Sequence, residues 1–205
     1  MILSDKIKKL IMSQEILSKL SVNHIDDLSS SRNEPDWLKD YRKNSLSIYD
    51  DMPIETSPLY NKYTDAKKMS PSKVSLSTST TQTIPKFLEK RLGELENEIC
   101  IIQIGTNIYK INLPDDLKSK GLVISSISDA IKNDSELVKK SLEASNSKED
   151  KFTALNNAAF NSGIFIHIPR NLVVEKPIHF MICLSDDGHS TISRNIIFAD
   201  ESSKA

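Results

Sequence analysis

"KFTALNNAAFNSGIFIHIPRNLVVEKPIHF", residues 151–180, changes its hydrophobic period halfway along. Its first third reads as a helix in which Ala154, Ala158 and Ala159 leave one side narrow, so that it can lie close against a flat surface. From Gly163 onward the period drops to two, and Pro-containing turns separate short apolar runs. GIFIHIP, KPIHFMICL and STISRNIIFA give strand starts at 164, 177 and 190, a spacing of 13 residues. Short strands at even spacing predict either a sandwich or a coil of stacked strands, and three units do not choose between them.

Upstream of this stretch the chain is mixed. Residues 1–20 place Ile7, Leu10, Ile11, Leu17 and Leu20 at three- and four-residue steps, the stripe of an amphipathic helix packed on its own protein or a partner. HIDDLSSSRN reads as a polar break. NEPDWLKDYRKNSLSIYDDMP then predicts a helix capped by Asn33, with Pro35 in the first turn and Trp37, Tyr41, Leu46 and Ile48 as its apolar contacts. Residues 54–83 read as an irregular loop, rich in Ser and Thr over 70–83 and too poor in large apolar groups to form a core alone. PKFLEKRLGELENE predicts a helix. EICIIQIGTNIYKINLP predicts a hairpin turning at Gly105-Thr106-Asn107. GLVISS reads as a further strand, followed by helices beginning at Ser128 and Ser135.

Composition narrows the function classes. Lys and Arg number 27 against 28 Asp and Glu, so no global field draws the chain to nucleic acid or to an anionic membrane. No apolar run approaches the roughly 18 residues of a spanning helix, and charges interrupt the N-terminal segment where a secretion signal needs an apolar centre. The cytoplasm is the expected compartment, since Cys100 and Cys183, far apart in sequence, make no disulfide framework. With five glycines and neither GxxxxGK[ST] nor GxGxxG, a nucleotide cradle is not expected. GxSxG and HExxH are also absent from the sequence.

Metal ligation rests on few residues. His179, Met181 and Cys183 alternate onto one face of a strand, but His179 and Cys183 would stand about 13 Å apart, too far to share an ion. A site from His167 and His179 would require neighbouring strands. The plainer reading makes both semi-buried strand residues. Two cysteines alone do not hold an iron–sulfur cluster, which takes about four ligands. Asp186-Asp187-Gly188 lacks the alternating acids of a calcium loop and reads as a turn.

Residues 151–205 resemble the region in which the SufB and SufD family of iron–sulfur cluster assembly proteins enters its central strand stack. The resemblance is carried by Ala154-Leu155-Asn156, Phe160, Gly163-Ile164-Phe165, Ile168-Pro169 and Glu175-Lys176-Pro177-Ile178, with SRNIIFADESS (193–203) similar to the stretch that follows. GLVISSISDAIKNDSELVKKSL (121–142) and EPDWLKDYRKNSLSIYDDMP (34–53) resemble the family's preceding elements in the same order. The EP-W helix and SISDAI lean towards SufB and the VVEKPI turn towards SufD, and the balance slightly favours a SufD-like member.

This resemblance implies an α+β chain. N-terminal helices would occupy residues 1–53, an irregular Ser/Thr-rich loop and helix 54–98, a small mixed region 99–161, and the first rungs of a right-handed parallel β-helix 162–205. It implies a non-catalytic scaffold subunit acting with an ABC-type ATPase (SufC) and a paired SufB/SufD subunit or a second copy. A cluster would pass through the full complex, and no cofactor is expected on this segment alone. Family members are about twice this length, so the chain is expected to be an N-terminal portion. No catalytic or cluster-ligating residue is carried onto it. The competing class is a β-helical carbohydrate-binding protein or enzyme, which would need aromatic and paired acidic residues on successive rungs; only Phe165 and Phe198 suggest such a surface.

Overall fold

The structure is a computed structural model, and it describes residues 20–53, 75–76, 84, 86–145, 148–183 and 189–205. The expected helix over 1–20 and most of the expected loop over 54–83 lie outside the described residues. Seven helices are described: α1 (Val22–Ser31), α2 (Asp36–Asp51), α3 (Lys86–Glu94), α4 (Asp115–Ser119), α5 (Ile127–Asn133), α6 (Ser135–Glu143) and α7 (Lys151–Ala159). The strands are β1 (Ser75–Leu76), β2 (Ile99–Ile104), β3 (Asn107–Asn112), β4 (Val123–Ser126), β5 (Ile164–Ile168), β6 (Ile178–Cys183), β7 (His189–Ser190) and β8 (Ile196–Ala199). They fall into two compact units that interleave along the sequence. The first takes Met1–Leu76, Ala144–Phe160 and Gly188–Ile192; the second takes Ser77–Glu143, Asn161–Asp187 and Ser193–Ala205.

The first unit is built on α2 and α7, which pack along each other. The narrow side of α7 explains the fit, since Ala154, Ala158 and Ala159 are fully buried. Asp150 starts this helix by accepting from the backbone N–H groups of Phe152 and Thr153, at 2.7 and 2.9 Å. On α2 the buried stripe is Leu38, Arg42, Ser45 and Leu46; of the four expected apolar contacts Leu46 is buried, whereas Trp37, Tyr41 and Ile48 are half-buried. Pro35, rather than Asn33, occupies the cap position, and Asn33 takes a left-handed conformation with φ 51°. The expected polar break over 24–33 is largely helix α1. Its buried positions Ile25 and Ser29 are one turn apart, and half of that stripe is a serine that hydropathy does not register. Ile25, Leu46 and Ala158 form the unit's apolar core. β1 pairs in parallel with β7.

The second unit contains two three-stranded sheets, ordered β3–β2–β6 and β4–β5–β8. Every residue of β2 is buried, because its strand is central and both of its faces are covered. Ile99 and Ile101 face a core shared with Ile124 of β4 and with Ile164, Ile166 and Ile168 of β5. Cys100, Ile102 and Ile104 pack on the opposite side beneath Leu88 and Leu95. The β2–β3 hairpin turns at Gly105 (φ 58°) as the sequence predicts. The N-terminus of α5 is capped by Ser126, whose Oγ accepts from the Asp129 N–H at 2.9 Å, so the helix starts ahead of Ser128. α6 begins at Ser135 as expected.

The expected right-handed parallel β-helix over 162–205 is not what the described residues form. Each three-stranded sheet is mixed: β2–β3 and β4–β5 are antiparallel, whereas β2–β6 and β5–β8 are parallel. The strands that the 13-residue rhythm would stack, β5 and β6, lie in different sheets. After β5 the chain turns at Pro169 and Asn171, the latter left-handed at φ 63°, and it crosses to pair with β2 instead. The third expected strand is split. His189–Ser190 pairs with β1, and only Ile196–Ala199 returns to β5. The α+β class holds; the stack of rungs does not.

Candidate functional site

Sequence reasoning singled out β6 first. Its register sets His179 opposite Cys100, Met181 opposite Ile102 and Cys183 opposite Ile104, so the three do share a face. That face is apolar core. Cys183 is buried with Leu88 and Ile104, and burial pushes its thiol above the ordinary range, which disfavours the thiolate that ligation or nucleophilic attack requires. Cys100 is fully buried, with Sγ 3.9 Å from the Leu95 carbonyl. The two thiols are separated by four register steps, about 13 Å along the ladder, too far for a disulfide.

His167 and His179 are not on neighbouring strands, because β5 and β6 belong to different sheets. His167 finds another partner. Its Nε2 lies 2.8 Å from Asp200 Oδ2, just beyond the end of β8, while the Phe198 ring stands edge-on at a centroid distance of 5.8 Å. Lys140 of α6 places its Nζ 5.3 Å from the same Phe198 ring. The cause is register: parallel pairing sets His167 opposite Phe198, which brings Asp200 within reach of the imidazole. Asp200 was not anticipated, since no spacing rule links it to His167 without knowledge of which strands pair.

An oriented imidazole beside a carboxylate can hold a proton or donate one ligand pair, but it lacks company here. Among the described residues, no group of three or more His, Cys, Asp and Glu is placed to hold a metal ion. An open groove of about 510 Å³ in the second unit has Leu117 and Val173 in its lining and Asp116, Lys120, Glu175 and Lys176 among its charged groups. Two acids and two lysines leave it without net charge to select an anion or a cation.

The strongest electrostatic arrangement in the first unit is buried. Arg42 is fully enclosed, and its Nε and Nη2 donate to the two carboxylate oxygens of Glu34, both at 2.8 Å. Its Nη1 donates to the Ala158 carbonyl at 3.1 Å, and the guanidinium lies 3.9 Å above the Phe160 ring centroid. This fork ties α2 to the C-terminal end of α7, and it uses the fixed planar geometry that Arg supplies and Lys does not. At the opposite end of α7, Lys151 Nζ donates to the carbonyls of Tyr49 and Met52 at the end of α2. Sequence reading missed Arg42 because a charged residue amid Asp and Lys reads as solvent-facing. These contacts hold the helices together rather than presenting chemistry to a ligand.

Comparison with known proteins agrees with the resemblance. The family profile described as "SufBD protein N-terminal region" matches residues 31–180. An iron–sulfur cluster assembly SufBD family protein of Staphylococcus aureus (strain USA300) is 26% identical over 194 residues, covering 89% of this chain and 42% of the relative. The iron–sulfur cluster assembly protein SufD of Bacillus subtilis (strain 168) is 27% identical over 194 residues, covering 91% of this chain and 44% of the relative. The chain thus spans less than half the length of the curated relatives it matches. Among the described residues, no helix is long and apolar enough to cross a membrane.

Proposed function

Because the chain belongs to the SufBD protein family, we propose that it serves iron–sulfur cluster assembly as a non-catalytic scaffold subunit. It works beside an ABC-type ATPase of the SufC kind and pairs with a SufB- or SufD-like subunit or a second copy of itself. The cluster is cargo of the full complex, and the compartment is the cytoplasm. The observation that carries this reading is the family match over 31–180, reinforced by relatives whose names specify iron–sulfur cluster assembly. The Bacillus subtilis relative favours the SufD-like side.

The test is affinity capture of the native protein from its own cells, with mass spectrometry of what accompanies it. An ABC-type ATPase together with a second SufBD protein is the expected result. Recovery without such an ATPase, at protein levels where a control SufBD protein brings its own, would overturn the assignment.

A further inference from the structure

We draw no further inference here: the strongest candidate, the exposed apolar side chain Ile197 on β8, an edge strand of the sheet β4–β5–β8, carries nothing because nothing in the structure shows what covers it.

Discussion

Gly163 leaves no room for a side chain, whereas Gly93 faces open space and a Cβ at Gly121 would meet Pro169 only at van der Waals distance. The φ of Gly163 is 141°, and a Cβ added there would meet the Arg194 carbonyl oxygen at 1.9 Å. Arg194 N–H also donates to the Ser162 carbonyl, and Ile127 N–H donates to that of Gly163, so neither neighbour can retreat without losing a bond. Gly163→Ala is therefore expected to destabilise the chain by on the order of 3 kcal/mol or more, read as a fall in the urea midpoint. Arg42 makes a second residue-scale case. Arg42→Met takes from the Glu34 carboxylate, only 5% exposed, its bidentate partner, and leaves it the Ser29 hydroxyl and the charge of Arg32. A loss of about 3 kcal/mol, the low end for breaking a buried pair, is expected. Adding Glu34→Leu should recover much of that loss, so a double-mutant cycle should show strong coupling. Strictly additive effects would mean that the pair contributes nothing jointly. Both positions were invisible in composition alone. Gly163 was legible as a breaker before a strand, but the carbonyl it must clear lies on a segment thirty-odd residues later.

Among the elements, α7 shows how a helix end converts into a pH dependence. Burial alone would raise the carboxyl pKa of Asp150, but the Thr153 hydroxyl and the N–H groups of Thr153 and Phe152 outweigh it and hold the group below the usual range. A depressed folded-state value gives stability that is present above the unfolded carboxylate pKa, about 3.9, and is lost as pH falls through the folded value. Asp150→Asn is thus expected to flatten the acid limb of the stability profile. Asp150→Ala should cost about 1 kcal/mol at neutral pH, and unfolding curves from pH 2 to pH 7 would separate the two. Elements with a clean period were readable before any coordinates: the β2–β3 hairpin, α6, α7 and β5 all stand near their expected places. α1 was not, because its buried face is shared between Ile25 and Ser29. The partners of β5, β6 and β8 were not either. An alternating run states which face of a strand is apolar, but it does not state which strand lies beside it.

Across the whole molecule, contacts between distant parts of the chain dominate. Ile99 pairs with Ile178, and Arg42 reaches the Ala158 carbonyl across a sequence separation of 116 residues. Loop-closure entropy must be met before such pairings return anything. Refolding from urea should accordingly proceed in milliseconds to seconds rather than microseconds, with stopped-flow fluorescence of Trp37 as the measurement. Microsecond relaxation to the native signal would contradict that expectation. The α+β class was legible at this scale, whereas the expected β-helix was wrong and the strand topology was not readable. The even spacing of the C-terminal strands suggested a sandwich or a repeating coil, whereas hydrogen bonding distributes them between two mixed three-stranded sheets and the two-stranded parallel pair β1–β7. Family membership was the most readable property of all. It rests on an ordered series of local motifs and does not require a topology to be known.

The interleaving of the two units also sets a timetable. A ribosome releases α2 long before α7, its packing partner, and at about 5–20 residues per second the delay between them is on the order of ten seconds. Throughout that interval, among the described residues, the side of α2 that packs on α7 has only α1, through Ile25, to cover it. β5 must likewise wait for β8 to complete its sheet. Neither unit can close while the nascent chain is shorter than the last segment it needs. Nascent-chain force profiling should therefore register compaction late, first as α7 and then as β8 leaves the exit tunnel. Strong force release before α7 emerges would show that the first unit closes without its partner helix. Until then the growing polypeptide is a client for whatever chaperone guards the tunnel mouth.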